Sequence, residues 1–185
     1  RVLDVEAGYQ YDGSNWHAGA NFYYMDYDNQ IVQTGQVSDI GEALTTNVKA
    51  SYRMGVELSA GWAPLSWLSF EGNAALSQNK IKDFDEYLGD HVNHYDKSTL
   101  AYSPSAILNG FLDFHYQGFN ATWHTNFVSK QYVDNSESSE RQLPSFSQTD
   151  INMSYTINLK GCGLKSVKLG LDLNNIFDRH YAVMG

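Results

Sequence analysis

The sequence has little of what several common folds require. Cys162 is the only cysteine among 185 residues, which excludes an internal disulfide and a cage of cysteine ligands around a metal. No run of about 18 apolar residues occurs, so no helix of the chain is long and greasy enough to span a bilayer. Basic charge is scarce as well. Twelve Lys and Arg stand against 21 Asp and Glu, a net charge of −9, and nothing gathers the cations into a patch. That excludes nucleic acid as a partner. Proline is nearly absent, with three in the chain.

Aromatic residues are abundant at 14%, with 13 Tyr and 4 Trp, a composition suited to strands and interfaces. They fall within segments that alternate. In residues 47–62, Val48, Ala50, Tyr52, Met54, Val56, Leu58, Ala60 and Trp62 share one side. Lys49, Ser51, Arg53, Glu57 and Ser59 share the other. A period of two over 16 residues marks a long β-strand. The pattern recurs at 1–11, 16–27, 67–78, 105–117, 119–128, 150–159 and 166–174, which predicts an all-β, antiparallel up-and-down meander of about eight strands.

The connections alternate in length. Those at 12–15, 63–66, 117–118 and 160–165 are short and turn-like, with Cys162 as a small turn residue and Gly118 and Gly161 serving backbone geometry. Those at 28–46, 79–104 and 129–149 exceed the usual loop length. A meander places all short turns at one end and all long connections at the other, as outer-membrane barrels do. Acidic residues gather in the long connections, which predicts an acidic outer rim. Tyr9, Tyr11, Trp16, Trp62, Trp67, Tyr116 and Phe119 flank the short turns, where a headgroup boundary favours rings with one polar tip. The apolar face is therefore expected to meet lipid and the polar face to line an interior. Backbone groups in hydrocarbon must all be paired, so such a sheet has to belong to a closed wall. Two other readings remain open: a small passive or structural outer-membrane barrel, and a soluble ligand-binding barrel with its apolar face turned inward.

One segment carries a specific resemblance. "LGLDLNNIFDRHY", residues 169–181, resembles the penultimate-strand segment of TonB-dependent outer-membrane receptors, with Asn175, Ile176, Phe177, Asp178 and Tyr181 in the motif positions. "YRMGVELSAGW" is similar to a second segment of that family through Arg53, Gly55, Val56 and Glu57, and the likeness extends over nearly the whole chain. Receptors of this kind have 22 strands, so the resemblance implies that these eight are strands 14 to 21 of a transmembrane barrel. The chain would then be a piece of one receptor barrel domain, without the plug domain and the final strand. It further implies active uptake of a scarce solute, a ferric siderophore or similar iron complex. The expected partners are outer-membrane lipid, the small-molecule cargo, and the TonB complex, reached through the absent plug.

No catalytic residue, cofactor or bound metal is expected. Asp90, His91, His94 and Asp96 place His and carboxylate side chains close together, a ligand set suited to zinc. In an acidic loop they read more simply as solvated polar sequence. Tyr87, His91, His94 and Tyr95 are instead expected to touch cargo, because receptor loops of the family supply aromatic contacts. Asp113, His115 and His124 could form an acid–base pair on the interior face, yet no nucleophile accompanies them. Lys49, Arg53, Glu57 and Glu71 are expected to form a lattice of ion pairs lining the lumen.

Overall fold

The computed structural model describes residues 1–88, 91–159 and 163–182, with side chains at 33–37, 43, 87 and 88 set aside. Eleven strands occur in chain order among them: β1 (Val2–Asp12), β2 (Trp16–Val37), β3 (Ala43–Leu65), β4 (Leu68–Leu88), β5 (His91–Thr99), β6 (Ala106–Tyr116), β7 (Phe119–Val128), β8 (Gln131–Tyr132), β9 (Gln142–Leu143), β10 (Phe146–Asn158) and β11 (Ser166–Leu173). Eight form one antiparallel meander in the order β1-β2-β3-β4-β6-β7-β10-β11. Strand β5 adds to β4 beyond β6, and β8 pairs with β9. This is the expected architecture.

The turn end follows local chemistry. Gln117 and Gly118 take φ of 47° and 87°, the left-handed pair that lets two residues reverse a right-twisted ribbon. A Cβ on Gly118 would meet the Thr156 carbonyl at 2.7 Å, so the adjacent strand also requires glycine there. The β3–β4 turn is Ser66-Trp67, between the paired Leu65 and Leu68, rather than 63–66. Residues 160–162, including Cys162 and Gly161, lie outside the described residues.

The apolar face of the sheet is open. Leu58 is 42% exposed, Phe22 61% and Leu169 58%, and Val5, Met54, Leu76, Leu112, Trp123 and Leu171 are exposed with them. All lie on the apolar side of the alternation. Among the described residues only Val32, Val48, Ile81, Phe84, Leu100 and Leu143 are buried hydrophobics. Among the described residues no apolar centre lies under the sheet, which counts against a soluble barrel with a greasy interior.

Aromatic rings bound this exposed band at both ends. Near the turns, Tyr11 stacks on Trp16 (4.5 Å), Trp62 on Phe70 (5.9 Å), and Trp67 meets Phe114 edge-on (5.5 Å). Ten residues along β3, Tyr52 stacks on Tyr24 at 6.2 Å. Charge appears on the apolar face immediately beyond them. Lys82 lies over the Tyr52 ring and donates to Asp26 at 3.2 Å. Ten residues at about 3.3 Å, tilted by about 40°, span about 25 Å, the height of the apolar band of an outer-membrane barrel.

The long connections depart from expectation. Strand β2 runs on to Val37 and β3 starts at Ala43; β4 runs on to Leu88 and β5 returns from His91. Most of 28–46 and 79–104 is therefore strand rather than loop, and β10 begins at Phe146 instead of 150. The wall continues well past the apolar band.

Candidate functional site

A line across the sheet separates the wall that carries the apolar band from its extension. Asn29 and Asp83 each drop out of the paired register, one residue past Asp28↔Ala50 and Ala50↔Lys82, and take φ of 54° and 61°, a region that Asn and Asp tolerate better than most residues. Beyond Ala50↔Lys82 the β3–β4 ladder ends, while β2–β3 and β4–β5 each continue as a hairpin. Val32 and Val48 of the first hairpin then pack against Ile81, Phe84, Tyr95 and Leu100 of the second. Two two-stranded ribbons thus share a small core beyond the apolar band.

The second ribbon carries the predicted cargo contacts. His91 and His94 are exposed. Tyr95 is half-buried against the core and donates to Glu86 at 3.0 Å, which ties its ring into the scaffold. The Tyr87 side chain and Asp90 lie outside the described residues. Asp85 approaches His94 Nδ1 at 2.7 Å, and Asp83 and Asp96 approach Nε2 at 3.5 and 3.6 Å. The hydrogen bond that the His94 ring donates to Asp85 is the chief cause that raises the His94 pKa above 6.5. The carboxylates approach the ring from two sides, and among the described residues no group of three His, Cys, Asp or Glu is arranged to hold a metal ion.

Residues 129–145 read as an acidic loop but serve as a clamp. Strand β4 has three residues between Leu76 and Lys80 where the facing chain has six, between Thr99 and Ala106. Into this break fits Asn135, 1% exposed. Its side-chain oxygen accepts from the Ala101 amide at 2.8 Å and its carbonyl accepts from the Ser98 hydroxyl. Asp134, 4% exposed, is held by Arg141 at 2.7 Å and by Ser136. Glu137 accepts from Lys80 at 2.6 Å and the Thr99 amide at 2.7 Å. Burial pushes the Glu137 carboxyl up, but Lys80 and Thr99 together outweigh it and its pKa falls below 4.5. Burial of Asp134 is likewise outweighed by Ser136 and Arg141. Spacing offered no signal for Asn135 and Glu137, because their partners lie 34 to 57 positions away.

The polar face is organised in rows. His17, Gly61, Glu71, Phe111, His124 and Asp150 follow one another across six strands. His17 meets Glu71 at 3.1 Å across Gly61. A Cβ on Gly61 would lie 2.2 Å from the His17 ring and 2.4 Å from the Glu71 carboxylate, so the bridge requires glycine. His124 stacks on Phe111 at 4.3 Å and stands 3.9 Å from Asp150. In the next row Asn126 donates to Asn109 and Asn109 to Asn73, each at 2.9 Å. Asp113 accepts from Thr122 and His115 faces Asn120, so Asp113, His115 and His124 are not brought together.

Lys49, Arg53, Glu57 and Glu71 do share this face, yet no two of them form an ion pair. Glu71 is taken by His17 and Glu57 by Asn21 at 3.5 Å. Among the described residues Lys49 and Arg53 have no carboxylate partner, and the Arg53 Nε is buried without an acceptor. Cross-strand register, rather than spacing along one strand, decides which side chains meet.

The segment after β11 is a clip. Asn175, at φ 52°, accepts from the Arg179 amide at 3.0 Å, donates to its carbonyl at 3.1 Å, and gives its own amide to Asp150 at 2.7 Å. Ile176 donates to the Thr149 carbonyl and Asp178 to that of Asn175. Phe177 meets Trp123 edge-on at 6.3 Å. Tyr181 stacks on Phe146 at 4.2 Å, and its hydroxyl donates to Gln148. The motif therefore fastens the chain back onto β7 and β10.

Comparison with known proteins places this architecture. A family described as "TonB dependent receptor-like, beta-barrel" matches residues 2–176. Among solved structures, the siderophore receptor PiuA from Acinetobacter baumannii is 17% identical with a TM-score of 0.75, over 99% of this chain and 25% of that one. The ferric yersiniabactin uptake receptor FyuA from Yersinia pestis is 15% identical (TM-score 0.70; 100% and 26%). The copper transporter OprC is 19% identical (0.71; 97% and 26%). At these identities the likeness concerns fold, and the chain spans about a quarter of the structures it matches. No curated protein matches.

Proposed function

The chain belongs to the TonB-dependent receptor-like β-barrel family, and from that premise we propose that the intact protein is an outer-membrane receptor for active uptake of a scarce solute. Proteins of this family are transporters rather than enzymes. The cargo in this reading is a ferric siderophore or similar iron complex, and a plug coupled to TonB admits it. One observation carries the reading: the family match covers a sheet whose exposed apolar face, bounded by two aromatic belts, has bilayer height. The extended ribbons and the clamp then stand at the outer surface, where cargo arrives, and the rows of His, Asn and Glu line the lumen.

Uptake in a strain lacking the intact gene tests this. Accumulation of iron from siderophore complexes should fall under iron limitation, and removing TonB from the wild type should lower it equally. Unchanged accumulation in both strains, with an ion-conducting pore from the purified protein, would favour the passive barrel instead. Copper accumulation belongs in the same experiment, since OprC is a copper transporter.

A further inference from the structure

The buried Nε of Arg53 lacks an acceptor in a chain with nearly twice as many acids as bases. Leaving a guanidinium N–H dry and unpaired is unfavourable, so an acceptor should come from elsewhere. Its surroundings supply donors and no carboxylate. Across the two neighbouring strands Arg53 faces Met25 and Asn79. The Asn79 amide is spent on Ser77 at 3.0 Å. On the diagonals stand Tyr23 and Tyr27. The Tyr27 hydroxyl reaches only the Met25 sulfur, at 3.3 Å, a weak acceptor. Tyr23 lies across Gly55, where a Cβ would stand 2.7 Å from its hydroxyl, and that hydroxyl has no acceptor among the described residues. Lys49, exposed and four residues towards the loop end, adds a second cation without an ion pair.

We infer that Arg53, with Tyr23 and Tyr27, forms an oxyanion site on the lumen face. Its ligand is a carboxylate or another anion with several oxygens, held by charge-assisted hydrogen bonds from the guanidinium. Two sources share that chemistry: an acidic side chain of the receptor outside residues 1–185, and an anionic group of a bound small molecule. The inference rests on the polar face lining a lumen. Its test reads anion occupancy and unfolding rather than uptake, so it fails separately from the transport reading.

The experiment compares the intact receptor in detergent with Arg53→Gln, Arg53→Lys and Tyr23→Phe, by thermal unfolding with and without citrate. A carboxylate from the receptor itself predicts that Arg53→Gln lowers the unfolding midpoint without citrate and that Arg53→Lys restores much of it. A bound small anion predicts no such loss. Instead, citrate raises the wild-type midpoint, with an apparent affinity weakened about tenfold or more in Arg53→Gln and less in Arg53→Lys and Tyr23→Phe. If Arg53→Gln raises the midpoint or leaves it unchanged, and citrate acts on it as on the wild type or on neither, the site does not exist.

Discussion

Leu58 offers the sharpest use of bilayer depth. It stands on β3 between the belts, four residues from Trp62 and six from Tyr52, and is flanked in register by Ala20 and Ala74. With such small neighbours, an arginine there meets little steric conflict, and its cost is set by the surrounding medium. An arginine on the lipid face costs about 2–4 kcal/mol at the bilayer midplane and about 0–1 near an interface. Leu58→Arg should therefore lower the folding equilibrium by about 30- to 700-fold, at about 1.4 kcal/mol per factor of ten, and Tyr52→Arg by less than about fivefold. Reversible urea unfolding of the intact receptor in lipid vesicles measures both, with Leu58→Met as a near-neutral control. Water on that face would leave every substitution within about 0.5 kcal/mol. Equal costs at the two depths, or none at Leu58, would refute the reasoning.

The clamp at residues 129–145 should be acid-labile. The Asp134 and Glu137 pKa values are lowered on folding, so their stabilisation is present above the ordinary carboxylate range and lost as pH falls through the lowered folded values. Protection of the Thr99 and Ala101 amides, taken relative to their intrinsic exchange rate at each pH, should fall below about pH 4, and Glu137→Gln should bring much of that loss to neutral pH. Protection independent of both would contradict the clamp. The His94 shift has the opposite sense: its contribution is complete below 6.5 and fades as pH rises through the raised folded value. A histidine-selective NMR titration should place His94 above 6.5, and Asp85→Asn should move it down; no movement would count against the ion pair. At the clip, Asn175→Ala should destabilise by about 1–3 kcal/mol, through loss of the Arg179 bonds and of the tolerance that an asparagine side chain has for a left-handed backbone. Asn175→Gly should recover the backbone part alone, as chemical unfolding would show. Equal losses would mean that φ is immaterial there.

What the sequence discloses depends on whether the two sides of a strand differ in surroundings. From Tyr52 to Trp62 one side is exposed and apolar and the other polar, so alternation alone gave the strand and the residues that share each face. Beyond the Asn29–Asp83 line both sides of each ribbon carry polar residues, and two left-handed residues interrupt the phase. Periodicity vanishes there although pairing continues, which is why β5 and the ends of β2, β3 and β4 read as loop. Asp134 and Glu137 looked like rim charge because burial in a tertiary contact leaves no trace in the local sequence. Lys49, Arg53, Glu57 and Glu71 were placed on the right face by parity, while their partners depended on register, as His17 and Glu71 meeting over Gly61 shows.

Oxygen and a water-soluble nickel chelate distinguish lipid from water at adjacent positions on β3. Spin labels at Leu58→Cys and Ser59→Cys, in intact receptor carrying Cys162→Ser and inserted in vesicles, report the two faces separately. The label at 58 should respond to oxygen and be shielded from nickel, and the label at 59 should be far less accessible to oxygen. A label at 58 that nickel reaches as readily as it reaches 59 would contradict the lipid-facing wall.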